Sequence, residues 1–296
     1  GYGGSVFQFA GDSILISFDK HNGESTINNF KRTLCAATAM LDISDNFNSL
    51  HDEDFNLRPK VGIGYGKFYQ YFMGSQKSFI TAILTGTAVH DAISCESQCK
   101  KQEIIVSEPV YQFAKELGIE NSFENIDGFY HITQKIDTNS FEVNIPDFVS
   151  IDEMNENPMF AERVCAFIDP VIMQNAKSRI QGFSGDYKEI TCLMAHFDIT
   201  EKINDDPETV KAFFEQINGI NTIMQSKSQR YNAYCTKPDI SDKGIVFLVF
   251  FGTPNVIENK ERSAMLCAQE IISSSKKSSF ITSANIGITT GLVYSG

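Results

Sequence analysis

Val6-Phe7-Gln8-Phe9-Ala10-Gly11-Asp12-Ser13-Ile14-Leu15-Ile16-Ser17-Phe18 sets apolar residues on both sides of a Gly-Asp pair. Val6, Phe7 and Phe9 before the pair, and Ile14, Leu15, Ile16 and Phe18 after it, predict two short strands joined by a tight turn with Asp12 at its tip. Downstream, Asn29 to Phe47 carries Phe30, Leu34, Ala37 and Leu41 at helical spacing, which predicts a helix with one apolar face. Pro59 then precedes a strand pattern through Val61-Gly62-Ile63-Gly64-Tyr65-Gly66. The order is hairpin, helix, strand.

That order returns later in the chain. Asp242-Lys243-Gly244 precedes an apolar strand from Ile245 to Phe251, a helix follows from Glu261 to Ser273, and Ile286-Gly287-Ile288-Thr289-Thr290-Gly291 closes the series. Leu34-Cys35-Ala36 matches Leu266-Cys267-Ala268 at a separation of 232 residues, and Gly62-Ile63 matches Gly287-Ile288 at 225. Three elements in one order at nearly one offset predict a duplicated fold. Between the copies, residues 138–160 are rich in Asn, Asp, Glu and Pro and read as a linker. Asp169-Pro170 then opens a helix from Val171 to Arg179, with proline where its missing N–H costs nothing. The second copy begins near Asp186, with a strand from Glu189 to Phe197 and a helix from Pro207 to Met224. Val210, Phe213, Phe214, Ile217, Ile220 and Ile223 give that helix a core-facing stripe. The expected division is a first domain over residues 1–137, a linker and lead-in helix over 138–183, and a second domain over 184–296.

Composition narrows the function classes. The 296 residues are 42% hydrophobic, enough for two cores, and the net charge of -12 argues against nucleic acid as a partner, since phosphate neutralisation needs clustered cations. Only short pairs such as Lys100-Lys101 and Lys276-Lys277 occur. The seven cysteines lack paired metal spacing: Cys95 and Cys99 lie one helical turn apart, but no second pair follows, so they read as free thiols of a reduced, intracellular chain. The longest apolar run, Ile245 to Phe251, is far short of the roughly 20 residues of a membrane span. A P-loop run is absent, which excludes that class of nucleotide enzyme. The start at Gly1-Tyr2-Gly3-Gly4 and the end at Tyr294-Ser295-Gly296, inside a strand pattern, read as cut ends.

Phe7 to Leu15 resembles the metal-binding hairpin of class III nucleotide cyclases, the soluble adenylyl cyclase group above all. The resemblance extends over nearly the whole chain: through Val61 to Gly74, Leu84-Thr85-Gly86-Thr87-Ala88-Val89 and Glu103-Ile104-Ile105-Val106-Ser107, then Phe167-Ile168-Asp169-Pro170-Val171, Phe251-Gly252-Thr253-Pro254 and Ile286 to Gly296. It implies two ferredoxin-like α+β domains facing each other as a pseudo-two-fold pair. The first would lack its opening strand and helix, and the second its C-terminal part. It implies conversion of ATP to cyclic AMP and pyrophosphate with two divalent ions, Mg or Mn. Asp12 matches the second metal aspartate, and the first falls outside the chain. Phe9, Ala10 and Gly11 would line the nucleotide.

The purine-selecting lysine of the second domain is expected near Arg230, Tyr231 or Asn232, with Asn232 the best match, although an insertion at Thr236-Lys237-Pro238-Asp239 blurs the alignment. The Asn and Arg that orient the ribose and neutralise the phosphate would follow Gly296. The other cleft departs from the pattern, with His196 at the position of the first metal aspartate and His90 and Ser94 at those of the Asn and Arg. Asp242 aligns with Asp12, and Gln8 replaces a lysine near the bicarbonate pocket. The resemblance therefore implies either a cyclase whose site is completed by other residues or a non-catalytic cyclase-like module in a larger intracellular assembly. The two domains are expected to pair within the chain, in the cytoplasm or at a cilium, and the 296 residues alone to be inactive.

Overall fold

A computed structural model describes residues 2–10, 12–50, 56–74, 80–145, 158–168, 173, 186–200, 206–241 and 244–295. The chain forms two compact units, Gly1–Tyr69 with Leu84–Glu153, and Gln70–Ile83 with Met154–Gly296.

The first unit opens with the expected hairpin, β1 (Ser5–Ala10) antiparallel to β2 (Ser13–Ser17). Ser25 caps the next helix by accepting the Asn28 amide at 3.1 Å, and α1 (Thr26–Leu50) follows, longer than its apolar stripe predicts. Phe30, Leu34 and Ala37 are buried in the core as expected. β3 (Val61–Ile63) ends sooner than the sequence pattern because α2 crosses it closely. A Cβ on Gly62 would lie 2.1 Å from the Ala92 carbonyl oxygen, and one on Gly64 2.2 Å from that of Ala88. Only glycine fits there.

β4 (Tyr69–Met73) and β5 (Thr81–Thr85) form a separate two-stranded arm that leads into α2 (Thr87–Gln98). β6 (Ile104–Val106) runs parallel to β3, and α3 (Glu108–Glu116) follows with proline in its first turn. The hairpin of β7 (Phe123–Ile126) and β8 (Phe129–Ile132) completes a sheet of order β3-β6-β8-β7. Beyond residue 137 the chain stays attached: Phe141 packs on the same core, and Asn144 exchanges two 3.0 Å hydrogen bonds with Asn28.

One feature of this unit has no counterpart in the hydrophobic pattern. Arg32 is fully buried in α1 and uses all five N–H donors. Nε and Nη2 donate to the two oxygens of Glu24 at 2.8 and 2.9 Å, Nη1 to the carbonyls of Tyr2 and Gly3 at 3.0 Å, and Nη2 to that of Asp19 at 3.1 Å. Burial by itself raises the Glu24 pKa, but the hydrogen bonds from Arg32, the His21 amide and Asn28 overcome it and hold the carboxyl at about 2.

In the second unit, the arm residue Tyr71 stacks on Phe214 with ring centroids 4.5 Å apart, and Ile80 donates to the Ala166 carbonyl just after α4 (Pro158–Cys165). The sheet is built around β9 (Asp186–Ile199). Asp206 caps α5 (Pro207–Arg230) through the Thr209 amide at 3.0 Å, with proline at the first position. Then come β10 (Tyr234–Cys235), β11 (Asp239–Ser241), β12 (Gly244–Phe251), α6 (Lys260–Ser275) and β13 (Ile281–Ser295). Strand order is β10-β12-β9-β13, with β11 also on β12, all antiparallel. With β10 and β11 together filling one strand position beside β12, the order is that of a βαββαβ ferredoxin-like layer. Ile245, Phe247, Val249 and Phe251 alternate into the core with Leu193, Ala195 and Phe197. Phe213, Ile217, Ile220 and Met224 of α5 and Cys267 and Ile271 of α6 are buried as well.

The chain is mixed α+β, and the described residues of the first unit form two separate sheets, with no strand among them between β2 and β3. The expected helix from Val171 to Arg179 lies outside the described residues apart from Met173.

Removing the cation tests the buried pair. Arg32→Ala strands a buried carboxylate and is expected to cost the first unit about 3–5 kcal/mol, read as a lower urea midpoint at pH 7. Because the folded pKa of Glu24 is depressed to about 2 from 4.5, its contribution is complete above pH 4.5 and is lost as pH falls toward 2. The wild-type midpoint should therefore drop through that window more steeply than that of Glu24→Gln.

Candidate functional site

In the hairpin, Ala10 faces Ser13 across the ladder, which leaves Gly11 and Asp12 as a two-residue connection. Asp12 sits exposed in that turn, while Gly11 lies outside the described residues. The cross-strand pair Phe9 and Ile14 is exposed too, at 67% and 53%, so the carboxylate stands beside an uncovered apolar surface. The carboxylate offers a hard cation one ligand.

His90 and Ser94 occupy one exposed stripe of α2, a single turn apart. Gly86 at the helix start has φ 129°, and a Cβ there would lie 2.6 Å from the Lys67 carbonyl, so the turn into the helix requires glycine. Between them, Asp91 is half-buried, and desolvation raises its pKa against the opposing charge of His90. Asp91 was absent from the sequence reading. Its signal there is only a lone acid on a helix whose neighbours Gly62 and Gly64 admit close packing.

In the second unit, His196 lies on the central strand β9 opposite Val246, and a Cβ on Gly244 would come within 2.6 Å of its Nε2. Asp198 Oδ1 lies 3.8 Å from that nitrogen, and Ser283 donates to Asp198 Oδ2 at 2.5 Å. Asp242 lies outside the described residues. Asn232 follows α5 in the left-handed region at φ 55°, with its Oδ1 accepting from Asn255 at 3.2 Å. The two alternatives beside it are engaged elsewhere. Tyr231 donates to Glu270 at 2.7 Å, and Arg230 and Lys227 lie 3.1 and 3.4 Å from the same carboxylate. The Tyr231 hydrogen bond, with that of Lys227, lowers the Glu270 pKa.

Among the described residues, no group of three or more His, Cys, Asp or Glu could hold a metal ion. A pair of divalent ions takes several oxygen ligands and paired carboxylates, and Asp12 is one. The residues described do not by themselves make a two-ion site. Cys95 and Cys99 are not a metal half-site either: Cys99 Sγ lies 3.4 Å from the carbonyls of Cys95 and Val61, and burial pushes the two thiols up to about 12 and 11.

Comparison with known proteins adds the context. No family model matches the chain. A class III adenylyl cyclase-like ATP-binding protein from Pseudomonas aeruginosa aligns with 98% of this chain and 65% of that one, at 14% identity and a TM-score of 0.51. The fold is class III cyclase-like. Human adenylate cyclase type 10 is 18% identical over 320 residues, and the cyclase-like chain spans 19% of its length. A guanylyl cyclase domain of the RhoGC fusion protein from Blastocladiella emersonii aligns with 38% of this chain and 63% of that one, at 19% identity and a TM-score of 0.29. No described helix is long and apolar enough to cross a membrane.

The thiol environments are directly testable. At pH 8, a disulfide reagent is expected to label exposed Cys165 quickly, whereas Cys95, Cys235 and Cys267, buried with pKa values near 12, should react only after unfolding. Peptide mapping of the labelled sites before and after urea checks this.

Proposed function

We propose that residues 1–296 form the nucleotide-handling core of a class III cyclase of the soluble adenylyl type. In a longer polypeptide that completes the site, the reaction is conversion of ATP to cyclic AMP and pyrophosphate. The observation that carries this reading is Asp12, presented at the exposed tip of a two-residue hairpin connection within a cyclase-like fold. In this reading a first domain of residues 1–137 and a second of 184–296, joined by 138–183, pair within the chain about a pseudo-two-fold axis. Asp12 contributes one carboxylate to a Mg or Mn site, Phe9, Ala10 and Gly11 flank the nucleotide, and Asn232 stands near the base. His90, Ser94, His196 and Asp242 belong to a second, degenerate cleft, because imidazole replaces neither a carboxylate toward a hard cation nor the planar fork of arginine.

A second reading is a non-catalytic, ATP-binding module. It is favoured by the ATP-binding description of the Pseudomonas aeruginosa protein and by the lack, among the described residues, of any group of three or more His, Cys, Asp or Glu that could hold a metal ion.

The two readings separate experimentally. The isolated chain is expected to make no cyclic AMP with ATP and Mg or Mn, since paired carboxylates and a charge-stabilising arginine are both required. In a longer polypeptide carrying these residues, Asp12→Asn should leave the melting temperature unchanged, because a turn accepts Asn, and lower Mn-dependent cyclic AMP formation by at least about 100-fold. Unchanged activity would reduce Asp12 to a turn residue. A silent wild type that still binds ATP calorimetrically would establish the second reading.

A further inference from the structure

Asparagine is a thermolabile residue, and most so before glycine, where no side chain hinders attack of the next main-chain nitrogen on its amide carbon. The chain holds two such pairs, Asn22-Gly23 and Asn218-Gly219, and one related acid pair, Asp127-Gly128. The pairs read alike in the sequence. The fold separates them.

Asn218 and Gly219 lie inside α5, where the Gly219 N–H belongs to the helix ladder. A Cβ on Gly219 would lie 2.7 Å from the Phe280 ring, and Thr222 donates to the Asn218 carbonyl at 2.8 Å. That peptide cannot turn without opening the helix. In the turn between β7 and β8, the Gly128 amide donates to Asn125 Oδ1 at 3.1 Å and is likewise engaged. Asn22-Gly23 has no such restraint. Both residues are exposed, at the centre of a turn closed by the Glu24 amide on the His21 carbonyl at 2.9 Å. Gly23 has φ 79°, and a Cβ there would meet nothing within 4 Å. Neither the Asn22 side chain nor the Gly23 amide has a hydrogen-bond partner among the described residues.

We propose that Asn22 is a site of slow, uncatalysed self-modification whose isoaspartyl product loosens the Arg32 clamp. The Gly23 nitrogen gives its proton to solvent base and bonds to Asn22 Cγ. The Cγ–Nδ2 bond then breaks, and ammonia leaves with a proton from water. Water opens the cyclic imide at either carbonyl, giving aspartate or isoaspartate at position 22. The balance is asparagine plus water to acid plus ammonia, with no change of oxidation state. Isoaspartate routes the main chain through the former side chain, which lengthens it between Asp19 and Glu24. Arg32 spans that stretch, bonding the Asp19 carbonyl at 3.1 Å and the Glu24 oxygens at 2.8 and 2.9 Å. The His21 amide holds Glu24 across the same turn at 3.1 Å. The same guanidinium ties down Tyr2 and Gly3 ahead of β1, so the change reaches both legs of the hairpin that carries Asp12. The inference rests on main-chain chemistry and stands apart from nucleotide turnover.

The test ages the intact chain at pH 8 and follows it by peptide mapping, by methyl transfer from an isoaspartyl carboxyl methyltransferase, and by urea unfolding. Asn22 is expected to convert at least about tenfold faster than Asn218, whose reaction must wait for local opening of its helix. The lower urea midpoint should fall as isoaspartate accumulates. Aged Asn22→Gln, whose longer side chain closes a ring far more slowly, should keep its midpoint. Fresh Asn22→Asp, which adds the charge without the longer main chain, should match fresh wild type. Retention of Asn22, equal conversion of Asn218, a midpoint that does not move on ageing, or an equal fall in fresh Asn22→Asp would overturn the proposal.

Discussion

The guanidinium of Arg32, sealed beneath the start of α1, fixes the part of the first unit on which the candidate site depends. A buried cation is tolerable only when its donors are all satisfied and its charge is matched. Here one carboxylate and three carbonyls meet both conditions. Tyr2 and Gly3 precede the hairpin, and Asp19 and Glu24 follow it, so one side chain clamps both legs of the hairpin to the helix. Asp12 stands at the far end of those legs. Its position is thus set from inside the unit, although it is itself exposed.

The second unit has a continuous sheet. β9 receives a strand on each side and a helical layer above, and its inward residues are buried to 1% or less. The first unit has the helix and both flanking strands but no strand between them among the described residues, which leaves backbone edges and an apolar wall facing each other. Unpaired strand edges are templates for pairing with other polypeptide. The first unit carries an exposed carboxylate on a hairpin turn, and the second carries His196 on the central strand of its sheet.

Lys227, Arg230 and Tyr231 converge on Glu270 and brace α5 against α6, so the positive charge nearest Asn232 is committed to packing. Asn232 itself holds a left-handed turn through Asn255, a role for which asparagine is suited because it tolerates positive φ.

The sequence by itself determined the local elements, since hydrophobic period and turn residues act over a few neighbours. The β1–β2 hairpin, the Phe30, Leu34 and Ala37 face of α1, the Val210 to Ile220 stripe of α5 and the alternation of β12 all follow from spacing alone, whereas the stripe's last buried position is Met224 and not the expected Ile223. Tertiary structure decided what spacing cannot encode. An arginine amid polar neighbours on a helix reads as solvent-facing, and only the convergence of three remote carbonyls on Arg32 buries it. Phe9 and Ile14 read as apolar strand residues, and what leaves them exposed is that β1 and β2 form a sheet of their own. The early end of β3 depends on how near α2 comes to Gly62 and Gly64, a distance between elements that no one-dimensional pattern carries.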